Sequence, residues 1–90
     1  MKYHIVPKQA KEVTEEQFYS FFNEIAPRKD WSSYHHKKMD IGKMIDFLDE
    51  VTISKDIVDG KWNIFVFDKN YEGKELVDAL WEAMKDEAIV

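Results

Sequence analysis

The 90 residues contain no cysteine. That excludes a disulfide framework and any thiolate metal site. Glycine is scarce: Gly42, Gly60 and Gly73 stand alone. They make neither a phosphate-binding loop nor a dinucleotide fingerprint, which excludes nucleotide hydrolysis and Rossmann chemistry. Only two prolines occur, and no segment is of low complexity. No window approaches the roughly 20 apolar residues that span a bilayer. The first seven residues, Met1 to Pro7, carry a charge but no apolar stretch of signal length. A soluble, cytoplasmic protein without membrane contact is therefore expected.

What is present is globular in character. The chain is 44% hydrophobic, 34% charged and 14% aromatic. This length suits a single domain, residues 1–90, with one modest core. The aromatic load helps that core because each ring buries a large area. The net charge of −5 argues against a general nucleic-acid binder and against anionic membrane surfaces.

Residues 2–6 alternate and stop at Pro7, which reads as a short strand. Thr14-Glu15-Glu16-Gln17 is a capping box. Phe18, Phe21, Phe22 and Ile25 follow at helical spacing, so a helix is expected over 15–25, ended by Pro27. Asp40 has the character of an N-cap for a second helix that ends near Glu50, with Ile41, Met44, Ile45 and Leu48 on its apolar stripe. Residues 52–58 and 61–68 read as a hairpin about a type I′ turn at Asp59-Gly60. Its second arm, Trp62 to Phe67, is apolar on both faces, as suits a central strand covered on both sides. Residues 70–73 read as a turn. A last helix then runs from Lys74 to about Asp86, with Leu76, Val77, Leu80, Trp81 and Met84 on a broad face. The expected fold is α+β: a small three-stranded, mostly antiparallel sheet packed by three helices, in the order β-α-α-β-β-α. A winged-helix arrangement is the alternative.

Catalytic chemistry finds little support. Carboxylates are plentiful, but no motif places one in an apolar pocket where its pKa would rise toward neutrality. The hydroxyls lack a nucleophile motif. His35 and His36 are adjacent, so they project to different sides, and His4 is remote in sequence. No enzyme, no metal and no cofactor is expected.

Residues 28–38 are the exception to the acidic composition. Arg28, Lys29, Lys37 and Lys38 against Asp30 give this segment +3, which leaves −8 for the rest of the chain. Trp31, Tyr34, His35 and His36 are interleaved with the charges. Arg, Trp and Tyr are residue types that dominate protein interfaces. The same pattern would suit phosphates and stacked bases. A structural reading is that Trp31 and Tyr34 fill the core and the lysines form a wet rim. Glu72, Glu75, Asp78, Glu82, Asp86 and Glu87 on the last helix read as a solvated face, or as a mimic of nucleic-acid phosphates. A basic loop and an acidic helix on one chain also permit a homodimer.

Four segments, Lys38 to Leu48, Glu75 to Lys85, Trp31 to Lys38 and Thr14 to Phe18, resemble parts of small uncharacterised proteins from phages and prophages of Gram-positive bacteria. The resemblance assigns no residue a role. It implies a context: phage accessory proteins that bind a host enzyme, polymerase or defence complex in the host cytoplasm, anti-CRISPR inhibitors being one class. The expectation is a non-catalytic binding protein that occupies a surface of a protein partner through Arg28, Lys29, Trp31, Tyr34, His35, His36, Lys37 and Lys38. A nucleic-acid-binding module using the same loop is the alternative.

Overall fold

The structure is a computed structural model that describes residues 2–21 and 36–88. It is an α+β arrangement of helices and one three-stranded antiparallel sheet. In chain order the elements are α1 (Pro7–Ala10), α2 (Glu15–Ser20), a 3-10 turn (His36–Lys38), α3 (Ile41–Leu48), β1 (Thr52–Lys55), β2 (Trp62–Val66), β3 (Lys69–Gly73) and α4 (Leu76–Ala88).

The local start signals act as read. Thr14 Oγ1 accepts from the Gln17 N–H at 3.1 Å, and Gln17 Oε1 accepts from the Thr14 N–H at 3.0 Å. These bonds satisfy two donors that a helix start leaves open. Asp40 Oδ1 accepts from the Lys43 N–H at 2.8 Å and opens α3. That helix ends two residues before Glu50, at Leu48, because Asp49 turns left-handed at φ 64°. Phe22 and Ile25 of the expected first helix lie outside the described residues.

The sheet departs from expectation in three places, each for a local reason. Residues 2–6 do not join it. They form an isolated bridge, His4 to Asp40, and brace the segment before α3 instead. The third strand is β3, where a turn was expected. The reversal falls three residues earlier, at Phe67-Asp68, so Val66 pairs with Lys69 and Trp62 with Gly73. Only the first of those two turn residues has positive φ, 57°, a pattern suited to a tight hairpin. The β1–β2 connection is also not a two-residue turn. Lys55 pairs with Trp62, and residues 56–61 form the loop. Asp56 Oδ1 accepts from the Val58 N–H and Asp59 Oδ1 from the Lys61 N–H, at 2.8 and 2.9 Å. These side-chain turns hold Gly60 at φ 73° and set Ile53 opposite Ile64.

Strand β2 is central, as expected, but only one of its faces is covered among the described residues. Ile64 and Val66 are buried, and α4 packs over β2 and β3 on that side. Phe65 faces away and is 42% exposed. The core joins this inner sheet face to α3, α4 and the N-terminal helices. Leu76, Val77, Leu80, Trp81 and Met84 of α4 are all buried, as their spacing requires. The Phe21 ring stands edge-on to Phe47 (centroids 5.0 Å) and to Trp81 (6.3 Å), linking three segments. Gly73 is where sheet and helix come closest. A Cβ there would lie 3.1 Å from the Ala79 nitrogen and the Glu75 carbonyl oxygen.

Candidate functional site

Two polar regions emerge from this fold: the turn at His36–Lys38 and a cleft along α4. Arg28, Lys29, Trp31, Tyr34 and His35 of the expected binding loop lie outside the described residues. His36, Lys37 and Lys38 form the 3-10 turn that leads into α3.

The turn has an inside and an outside. Met39 is fully buried and His36 is 8% exposed, whereas Lys37 and Lys38 are exposed. His36 is therefore an anchor within the chain, whereas the sequence reading placed it among the partner-contacting residues. Its partner is His4, which the sequence placed far away. The two rings meet edge-to-face with centroids 5.6 Å apart and planes at 63°. Backbone bonds hold the juxtaposition: the Ile5 N–H donates to the Met39 carbonyl at 3.1 Å and the Ile41 N–H to the Tyr3 carbonyl at 3.0 Å. His4 Nδ1 lies 2.8 Å from the Ile5 carbonyl oxygen. Among the described residues, no group of three or more His, Asp or Glu side chains is placed to hold a metal ion.

The cleft, about 420 Å³, is lined by Glu12, Tyr71, Glu82, Lys85 and Asp86. Three separated segments supply these side chains. The Lys85 ammonium donates to Glu12 Oε1 and to Glu82 Oε1, both at 2.9 Å, and the Trp81 indole donates to Glu12 Oε1 at 2.8 Å. Asp86 accepts from the Tyr71 hydroxyl and pairs with Lys69 at 3.2 Å.

The electrostatics follow from these bonds. Burial pushes the Glu12 carboxyl up, but hydrogen bonds from Lys85 and Trp81 outweigh it and hold the group below its ordinary value. Burial pushes Lys85 down, and its bonds to Glu82 and Glu12 outweigh that and raise it. Tyr71 and Lys69 hold Asp86 low. Burial, then the bond to Asp86, raises Tyr71 well above the ordinary phenol range. All four groups are displaced away from neutrality, the opposite of what proton exchange near pH 7 requires.

The acidic face of α4 is thus largely engaged within the chain. Besides Glu82 and Asp86, Asp78 Oδ1 accepts from Lys2 Nζ and from Gln9 Nε2, each at 2.7 Å. Glu75 Oε2 accepts from the Lys2 backbone N–H at 3.1 Å. Gln9 Oε1 also caps α1 through the Val6 N–H at 3.0 Å. Of the carboxylates read in the sequence as a solvated or phosphate-mimicking face, Glu75 and Asp78 hold Lys2 and Gln9, Glu82 holds Lys85, and Asp86 holds Tyr71 and Lys69, while Glu72 lies on β3. Sequence reasoning missed Glu12, Tyr71 and Lys85 as a group. The one available signal, acids on α4 at spacings of three and four, shows a face but not what lies on it.

Among the described residues no helix is long and apolar enough to cross a membrane. No protein-family model, curated protein or solved structure matches the chain.

Proposed function

We propose that this protein is a non-catalytic binding protein, phage-borne, that acts by occupying a surface of a host protein or of a nucleic-acid-processing or defence complex, as an anti-CRISPR inhibitor does. The observation that carries this reading is the charge contrast at the 3-10 turn. Lys37 and Lys38 are exposed between the buried His36 and Met39, at the end of the segment that Arg28 and Lys29 begin, on a chain of net charge −5. A basic patch on an acidic protein suits an acidic partner surface, because it steers the encounter and fixes the orientation. The displacement of Glu12, Tyr71, Lys85 and Asp86 away from neutrality supports a binding role over proton-transfer chemistry. His36 supports the patch from within, and the contact itself falls to the exposed cations with Trp31, Tyr34 and His35.

The test compares capture from host lysate by the wild-type protein and by a variant carrying Lys37→Glu and Lys38→Glu. The variant is expected to lose the captured partner while keeping its circular dichroism spectrum. Unchanged capture would remove the patch from the function. Fluorescence anisotropy with labelled oligonucleotides, run in parallel, separates the alternative. Saturable, salt-weakened binding that the same substitutions abolish would identify a phosphate reader.

A further inference from the structure

The basic turn has a neighbour that lies far from it in sequence. Residues 2–11 carry Lys2, Lys8 and Lys11 and no acid, and the fold lays the start of this stretch against the turn. The Ile5 N–H donates to the Met39 carbonyl at 3.1 Å and the Ile41 N–H to the Tyr3 carbonyl at 3.0 Å. Between these two bonds His4 stands opposite Asp40 in an antiparallel bridge. Ile5 and Met39 are fully buried. Because the segments run antiparallel, Val6 and Lys38 lie on the same side of the Ile5–Met39 bond. Two stretches distant in the chain therefore meet at one surface.

What the N-terminal stretch adds there is apolar and held in place. Tyr3 is 67% exposed and Val6 38%. The backbone is tied on both sides of Tyr3: the Lys2 N–H donates to Glu75 Oε2, and the Tyr3 carbonyl accepts from Ile41. Val6 precedes Pro7, whose ring fixes the first turn of α1. The Val6 N–H donates to Gln9 Oε1, and its carbonyl accepts from the Ala10 N–H. Lys8 follows on α1 and is exposed, whereas Lys2 is engaged by Asp78. The Asp40 carboxylate at the seam accepts the Lys43 N–H at the start of α3, where the positive helix end offsets its charge.

We propose that the partner-binding surface is composite: Tyr3 and Val6 form its apolar part beside Lys8, Lys37 and Lys38, and it takes an acidic segment of a protein that carries an apolar side chain. This rests on the role proposed for the basic turn and names the chemistry of its partner. The cations meet the carboxylates of such a segment, while Tyr3 and Val6 cover its apolar side chain. Tyrosine is among the residue types that carry most binding energy at interfaces. The backbone is fixed before contact, so little ordering is needed on binding. A nucleic acid fits less well. Its phosphates form a dense, continuous line of charge that a chain of −5 repels, and neither Val6 nor the Asp40 carboxylate can hold a phosphate.

A nuclear magnetic resonance titration of the isotope-labelled protein with a short glutamate-rich peptide carrying phenylalanine tests this. The amides of Tyr3, Val6 and Lys8 are expected to shift together with those of Lys37 and Lys38, and the affinity to fall as salt rises. Tyr3→Ser with Val6→Ser is expected to weaken binding at least about fivefold, and Lys37→Glu with Lys38→Glu at least about tenfold. The same peptide with alanine in place of phenylalanine is expected to bind more weakly and to be indifferent to the serine substitutions, as a direct contact requires. If the lysine variant loses the peptide while the serine variant keeps it, the composite surface is overturned and the basic turn stands alone. If neither pair of substitutions matters, both readings fall. Binding of a single-stranded oligonucleotide in place of the peptide, or no binding of the peptide at all, overturns the partner chemistry, and the host-lysate comparison then judges the turn by itself. Tyr3 and Val6 are exposed, and an unchanged circular dichroism spectrum verifies the fold.

Discussion

Along α4, Val77, Leu80, Trp81 and Met84 expose no surface, whereas at the β1–β2 apex Ile57 and Val58 keep almost all of theirs. The residue types are alike and the outcomes are opposite. On α4 the apolar side chains recur at helical spacing, so they form a continuous stripe that a sheet face can cover. At the apex, two side-chain turns hold the backbone away from the body, and nothing in the described chain reaches it. Hydropathy sets the drive toward burial, and geometry decides whether it is met.

The contrast can be broken most severely at Trp81. Trp81→Ala is expected to cost about 3–5 kcal/mol, a large part of the stability of a small domain. It removes a fully buried ring and leaves Glu12 without its indole donor. Urea unfolding should show a large fall in midpoint. The seam between helix and sheet comes next. Gly73→Ala presses a methyl group against two backbone atoms of the α4 start, and about 1–3 kcal/mol is expected from such overpacking, read by the same assay. Asp40→Ala removes the α3 cap and should cost about 1 kcal/mol.

A smaller effect depends on pH. The folded pKa of Glu12 lies below its ordinary value of 4.5. Its contribution is therefore complete above that value and is lost as pH falls through the lower folded one. Asp86 acts with the same sign. Lys85 acts oppositely: its contribution is complete below 10.5 and is lost as pH rises through its raised value. Glu12→Gln should flatten the acid side of the stability profile, measured by thermal unfolding from pH 7 to pH 3. The smallest change is expected at the apex itself. Ile57→Ser with Val58→Ser should alter monomer stability by no more than about 0.5 kcal/mol. A large loss there would show that the apex is packed against something after all.

Much of the fold was legible because its signals are local. The Thr14–Gln17 box and the Asp40 cap each close within one helical turn, and their hydrogen bonds form as read. The α4 stripe needs only its own periodicity. The β1–β2 turn was misread because Asp59-Gly60 resembles a two-residue hairpin, while Asp56 supplies a second capping carboxylate that favours the longer loop. Residues 70–73 were misread because Asn70 and Gly73 are turn formers. There the pairing with β2 and the approach of α4 outweigh local preference. In the candidate site, the exposure of Lys37 and Lys38 followed from their charge, but the burial of His36 did not, because its partner lies at the other end of the N-terminal half.

The sequence by itself determined where α2 and α3 begin, which face of α4 is apolar, that β2 is the central strand and that charge is divided between a basic stretch and an acidic remainder. Each of these depends on neighbours within a few residues. Only the tertiary structure decided that His4 meets His36, that the α4 carboxylates hold Lys2, Gln9 and Lys85, and that among the described residues one sheet face remains open. Those outcomes depend on which surfaces meet. A hydrogen bond or ring contact between distant segments forms only after the core has brought their backbones within reach.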